Sequence, residues 1–174
     1  MKIQIALILL SLTTLSFAAD PAPVHISGVG ISTPSDWTPD RIKSDLAADT
    51  KTIEYSSHGQ AHHATAVSLL ALLKASGLDT TLKHDPAADP HKKHAPLHYA
   101  VTVTGTDGYS ATFALAELLP DAGNHDAYLA LDSDDKPLPP SDGPTKLIVP
   151  SDAKPSRWVH SVGSITIFDC APAK

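Results

Sequence analysis

Cysteine is almost missing from this chain: Cys170 is the only one in 174 residues. A lone thiol closes no internal disulfide, so the fold must hold by its core and not by covalent staples. Aromatic residues make up only 5%, which gives each tyrosine or tryptophan in a loop unusual weight. Long apolar runs are lacking too: the run at 3–12 is about half of what a membrane span needs. Basic residues number 13 against 19 acidic ones, a formal net charge of −6, and that balance argues against non-specific nucleic-acid binding. Gly-rich phosphate loops of the P-loop or dinucleotide type are missing, and so is the G-x-S-x-G elbow of serine hydrolases.

What is present begins with a secretory signal. Lys2 supplies the positive start, 3–12 the apolar stretch, and Ser16-Phe17-Ala18 the small-x-small cleavage site. Removal of 1–18 is expected to leave a leader over 19–23, one domain over 24–169 and a loose tail over 170–174 that holds Cys170. The product is expected to be periplasmic or secreted, and not membrane-spanning once the signal is cleaved.

Fifteen prolines and nine glycines fit a loop-rich domain. Residues 24–31 alternate weakly and predict a first strand. Thr38-Pro39-Asp40 starts a short helix, with Thr38 as N-cap and Pro39 at the first helical position, running to about residue 47. A second strand is expected over 51–55, then a polar turn over 56–63. The leucines at 69, 70, 72 and 73, closed by Gly77, predict a buried helix over 68–76. Residues 78–96 read as a long His-rich surface loop. Strict alternation over 98–105 and a returning strand over 109–113 make a β-hairpin around Thr106-Asp107-Gly108. A short helix over 114–119, a strand over 127–131 and an acidic turn over 132–136 follow. Strands rich in β-branched residues over 146–149 and 164–168 flank a connector that carries two prolines and ends in Arg157-Trp158. The fold class is α+β, with mixed β-sheets and a few short helices.

Two constellations carry chemistry. His84, His91, His94 and His98, joined by His62 and His63, are candidate zinc or copper ligands, although their spacing matches no closed zinc site and a solvated polar loop is the plainer reading. The other is a set of loop aromatics with polar neighbours: Tyr55, Ser56 and His58; Asp107 and Tyr109; Lys154, Arg157 and Trp158. An Arg beside a Trp offers a guanidinium fork and an indole face to a flat anionic ligand. The plainer alternative packs Trp158 on the core and leaves Arg157 solvated. If the strand ends gather on one edge, these loops line one pocket.

These same stretches resemble the molybdopterin-binding domain of the sulfite oxidase family, over about 24–169. Residues 66–77, AVSLLALLKASG, look like its G-V-x-L-x-x-L-L-x-x-A-G helix. Residues 107–116, DGYSATFALA, look like the hairpin that carries its active-site tyrosine. GPTKLIVP at 143–150 and Arg157-Trp158-Val159 look like its G-P-x-x-L-x-V-P and R-W-V signatures. The departure matters more. Catalytic members hold molybdenum through a cysteine just after the strand that corresponds here to 51–55, and Tyr55-Ser56-Ser57-His58 contains no thiol. Neither hydroxyl nor phenol easily replaces a soft thiolate.

The resemblance therefore implies an exported, non-catalytic pterin-binding protein, a sensor or carrier of a reduced pterin, with no molybdenum expected and a membrane signalling protein as partner. The general secretory signal, without a twin-arginine pair, fits that reading. In the implied site Trp158 or Tyr109 stacks on the ring, Asp107 accepts from its N–H edge, and Arg157 and His58 meet its carbonyl or hydroxyls. Were the ligand molybdopterin, Lys154 and Arg157 would meet the phosphate. One alternative is a molybdopterin-dependent oxidoreductase with Ser56 or Tyr55 as substitute ligand. Another is a periplasmic metal-binding protein using the His-rich loop. A third is a purely structural or partner-binding module.

Overall fold

Apolar alternation along the longer strands builds two sheets. A computed structural model describes residues 21–80 and 95–171. The expected signal sequence over 1–18 and the candidate ligands His84, His91 and His94 lie outside the described residues. Among the described residues, nine strands run β1 (Val24–Gly28), β2 (Ser35–Trp37), β3 (Thr50–Ser57), β4 (Gln60–Ser68), β5 (Tyr99–Gly105), β6 (Ser110–Ala114), β7 (Tyr128–Ala130), β8 (Lys146–Ile148) and β9 (Val162–Asp169). Three short helices, α1 (Pro39–Asp45), α2 (Leu69–Ala75) and α3 (Leu115–Leu118), complete a mixed-sheet α+β architecture. One sheet has the order β2-β1-β9-β5-β6, the other β3-β4-β7-β8.

β9 is the middle of the first sheet. It pairs parallel with β1 and antiparallel with β5. Ile165 and Ile167 point inward with Val24, Ile26, Val101, Val103, Ala111 and Phe113, all buried. A bulge opposite Thr104 and Gly105 skips Gly163, and the extra residue returns Val162 to the buried side. The second sheet adds Val67, Leu129 and Leu147 to the same continuous core.

Local signals hold where side chains cap backbone. Thr38 Oγ1 accepts from Arg41 N at 3.1 Å, and Pro39 opens α1. Ser68 caps α2 in the same way. The end of α2 is a Schellman turn: Gly77 has φ +94°, Gly77 N donates to Lys74 O, and Leu78 N donates to Leu73 O. Leu78 is buried, so the expected surface loop begins one residue later. His98 closes a 3₁₀ turn over Ala95–His98, and its carbonyl accepts from Cys170 N at 2.8 Å.

Two elements depart from the sequence reading. The polar turn expected over 56–63 is only His58-Gly59, both left-handed (φ 51° and 77°), which is the two-residue hairpin geometry that matches strand twist. The rest is strand: β3 and β4 pair in register from Thr50–Val67 to Ser57–Gln60. β4 presents only Ala64 and Ala66 to the core before Val67, and alanine gives a weak hydrophobic signal. β2 was not expected either. It is three residues long and is held by Trp37, whose Nε1 donates to Ser76 Oγ at 2.9 Å.

Gly28 tests the β1–β9 seam. Its φ is +115°, and a Cβ there would overlap the Ile167 backbone. Gly28→Ala is expected to destabilise the protein by about 2–4 kcal/mol, combining backbone strain with a forced shift of β9; urea denaturation measures it, and a loss under about 0.5 kcal/mol, the range of neutral surface changes, would show that the seam yields.

Candidate ligand-binding cleft

The chain passes from one sheet to the other just before β9, and a cleft forms there. Val159 bridges Leu147 at the free edge of β8, with N···O distances of 2.8 and 3.2 Å. Ser161, at φ 45°, turns the corner, and Val162 enters β9. At that corner Ser161 N donates to Asp142 O at 2.7 Å. Gly143 (φ +72°) packs against Ser161 so closely that a Cβ would collide with it. The contact fixes residues 141–143 beside His160.

The cleft has a volume of about 530 Å³ and is lined by Ser57, His58, Ser141, Asp142, Lys146, Pro155, Trp158 and His160. Ser57 and His58 come from the β3–β4 hairpin tip, and Pro155 from a 3₁₀ turn over Pro155–Arg157. Three of the polar groups form a chain. Lys146 Nζ donates to Asp142 Oδ2 at 2.8 Å, and Asp142 Oδ1 lies 2.7 Å from His160 Nδ1. Lys146 opens a fully buried strand, and its ammonium sits 5.4 Å from the Trp158 ring centroid. Burial pushes the Asp142 carboxyl up, but hydrogen bonds and charge from Lys146 and His160 outweigh it and hold the group below its ordinary value. His160 is the exposed end of the chain, with about half its side chain open to solvent.

The three loops named from the sequence are brought together, but their side chains are used differently. Trp158 is 7% exposed. Its Nε1 donates to Val149 O at 3.2 Å, and its ring meets Tyr55 edge-on at 5.5 Å. It therefore belongs to the core and shows the cleft only part of its indole. Tyr55 stands behind it, stacked on His62, with its hydroxyl 2.8 Å from Ser133 Oγ. Ser56 lies on the opposite face of β3 from Tyr55 and Ser57, because side chains alternate, and it does not line the cleft.

Arg157 is part-buried, and its guanidinium is already engaged. It makes a two-pronged bond to Asp152 (2.8 and 2.6 Å), reaches Glu117 at 3.0 Å and lies over Phe113 at 4.8 Å. These partners push its pKa further up, the Asp152 hydrogen bond most of all. Asp107 caps its own turn, accepting from Tyr109 N at 2.9 Å. The Tyr109 hydroxyl donates to Ser156 O, tying the hairpin to the connector. Lys154 is exposed where the 3₁₀ turn begins. Of the eight residues, His58 and Trp158 line the cleft. Asp142, Lys146 and His160 were missed. Their one sequence signal was a lysine heading an apolar strand, since lysine is almost never buried without a partner.

Elsewhere His62 and His63 pair with Asp134 and Asp135. Among the described residues no three His, Cys, Asp or Glu side chains are grouped to hold a metal ion. Likewise, no helix among them is long and apolar enough to cross a membrane. In comparisons with known proteins, the chain matches no protein-family model and no curated protein.

Two outcomes follow from the packing of the connector. Trp158→Ala removes a buried indole and should cost about 3–5 kcal/mol in chemical denaturation. The Arg157 hydrogen bond holds the Asp152 carboxyl below its ordinary value against the opposing push of burial. A depressed folded pKa gives stability that is fully present above the unfolded value and is lost as pH falls through the folded one. Urea midpoints should therefore drop below about pH 4, the ordinary range for aspartate. Asp152→Asn should start lower at neutral pH and fall less steeply; parallel curves would show that this pair does not contribute to acid sensitivity.

Proposed function

We propose that this chain binds a flat, hydrogen-bonding heterocycle of the pterin class in the cleft beside Trp158 and performs no chemistry on it. One observation carries the reading: an indole edge, two imidazoles, a part-buried carboxylate and two serines converge on about 530 Å³, a volume suited to a small fused ring with polar edges. The resemblance to the sulfite oxidase molybdopterin-binding domain supports the same ligand class. In this reading the protein is an exported sensor or carrier, and its partner is a membrane signalling protein.

Molybdenum chemistry does not fit these residues. The Tyr55 hydroxyl is paired with Ser133, and Ser56 faces away from the cleft. Cys170 lies past the far end of β9 from His160, about 25 Å away along an eight-residue strand. A phosphate tail fits poorly as well. Lys146 is already paired with Asp142, and Arg157 with Asp152 and Glu117, and the exposed Lys154 does not line the cleft. The preferred ligand is thus a pterin without phosphate.

Calorimetric titration with a tetrahydropterin should give a dissociation constant in the micromolar range or below, on the order of −8 kcal/mol. His58→Ala and His160→Ala, both on exposed side chains, should weaken it about tenfold or more with melting temperatures nearly kept. Absence of binding up to about millimolar pterin, roughly −4 kcal/mol, would sink the reading.

A further inference from the structure

The chain from Lys146 through Asp142 to His160 decides which atom of the imidazole is left for a ligand. A carboxylate only accepts, so the hydrogen between Asp142 Oδ1 and His160 Nδ1, at 2.7 Å, belongs to the ring. In the neutral imidazole the other nitrogen, Nε2, is then an acceptor. Asp142 cannot easily turn away to take a ligand itself, because Lys146 holds its second oxygen at 2.8 Å and the side chain is only 15% exposed. Its backbone carbonyl is pinned by Ser161 N. Both oxygens of the carboxylate and its backbone carbonyl are thus engaged, while the ring itself lines the cleft. His58, the other imidazole there, carries no carboxylate partner among the described residues and can present either tautomer.

Resting on the pterin reading, we propose that His160 Nε2 accepts the ring amide N–H of the bound heterocycle, and that Asp142 is the positioning residue that fixes this tautomer. The site then selects heterocycles by a donor edge. A ring whose amide nitrogen is methylated loses the donor and meets an unpaired acceptor in a partly desolvated cleft. An unmade bond of that kind lowers affinity more than the bond itself would add. The same constraint explains a charge heading a buried strand: the lysine holds the carboxylate, and the carboxylate holds the ring.

The test uses the full chain and two probes, a tetrahydropterin and its analogue methylated at the ring amide nitrogen. Nitrogen-15 NMR of the histidine rings in mildly alkaline buffer should show His160 protonated at Nδ1 before ligand is added. Calorimetry should show the methylated analogue binding about tenfold or more weaker than the parent. Asp142→Asn should weaken the parent and narrow the gap between the two probes, the non-additivity expected when one contact carries both effects. The tautomer and the probe comparison are read on the unsubstituted protein, so a misfolded variant cannot hide the answer. Equal affinity for both probes, or an Nε2-protonated His160, overturns the inference while tight binding of the parent leaves the pterin reading standing. Failure of both probes to bind removes that reading, and this inference with it.

Discussion

A lysine ammonium at the head of a buried strand is the constraint around which this end of the molecule is arranged. Lys146 is 7% exposed and must be answered by charge, because an unpaired ammonium in such a place costs several kcal/mol. Asp142 answers it, and Trp158 adds an aromatic face. Burying such a pair adds little net stability, since desolvation of both ions nearly offsets their attraction. What it provides is position. A carboxylate fixed from one side by Lys146 and along its backbone by Ser161 has one oxygen left, and His160 occupies it.

Much of the fold was legible because it is written in short-range chemistry. The β5–β6 hairpin alternates strictly, α1 and α2 carry their caps, and Gly77 ends α2 in the one conformation that glycine adopts cheaply. β4 was not legible. Its inward residues are mostly alanines, and two histidines and a glutamine at its start look like a turn. It becomes a strand because β3 and β7 flank it on both sides, a tertiary cause that no window of sequence contains.

The cleft divides along the same line. His58 and Trp158 stood out as an exposed turn residue and a scarce aromatic. Asp142 and His160 are 18 residues apart and meet only because Gly143 packs on Ser161 where the chain changes sheets. Arg157 and Trp158, read together as one recognition unit, separate in space. The guanidinium goes outward to Asp152 and Glu117 over Phe113, and the indole goes inward to Tyr55 and Val149. The Arg-Trp pair is therefore a clamp that seats the connector on two sheets, and the polar lining of the cleft comes from other residues, among them His58, Asp142 and His160.

That separation has a consequence for how the site would respond to a ligand. The floor of the cleft is the core itself: Trp158 rests on Tyr55, Tyr55 on His62, and His62 on Asp134 in the acidic turn. A side chain packed so closely cannot swing aside to admit a ring, because interiors at crystal-like density do not deform cheaply. Adaptation must come from the rim, where His58, Ser57, Pro155 and the open edge of His160 are at least partly exposed. In the proposed reading, a rigid indole floor faces an acceptor set by Asp142 and the exposed His58 imidazole, an arrangement suited to one flat molecule in one orientation. A ligand seated there would lose little affinity to reorganisation.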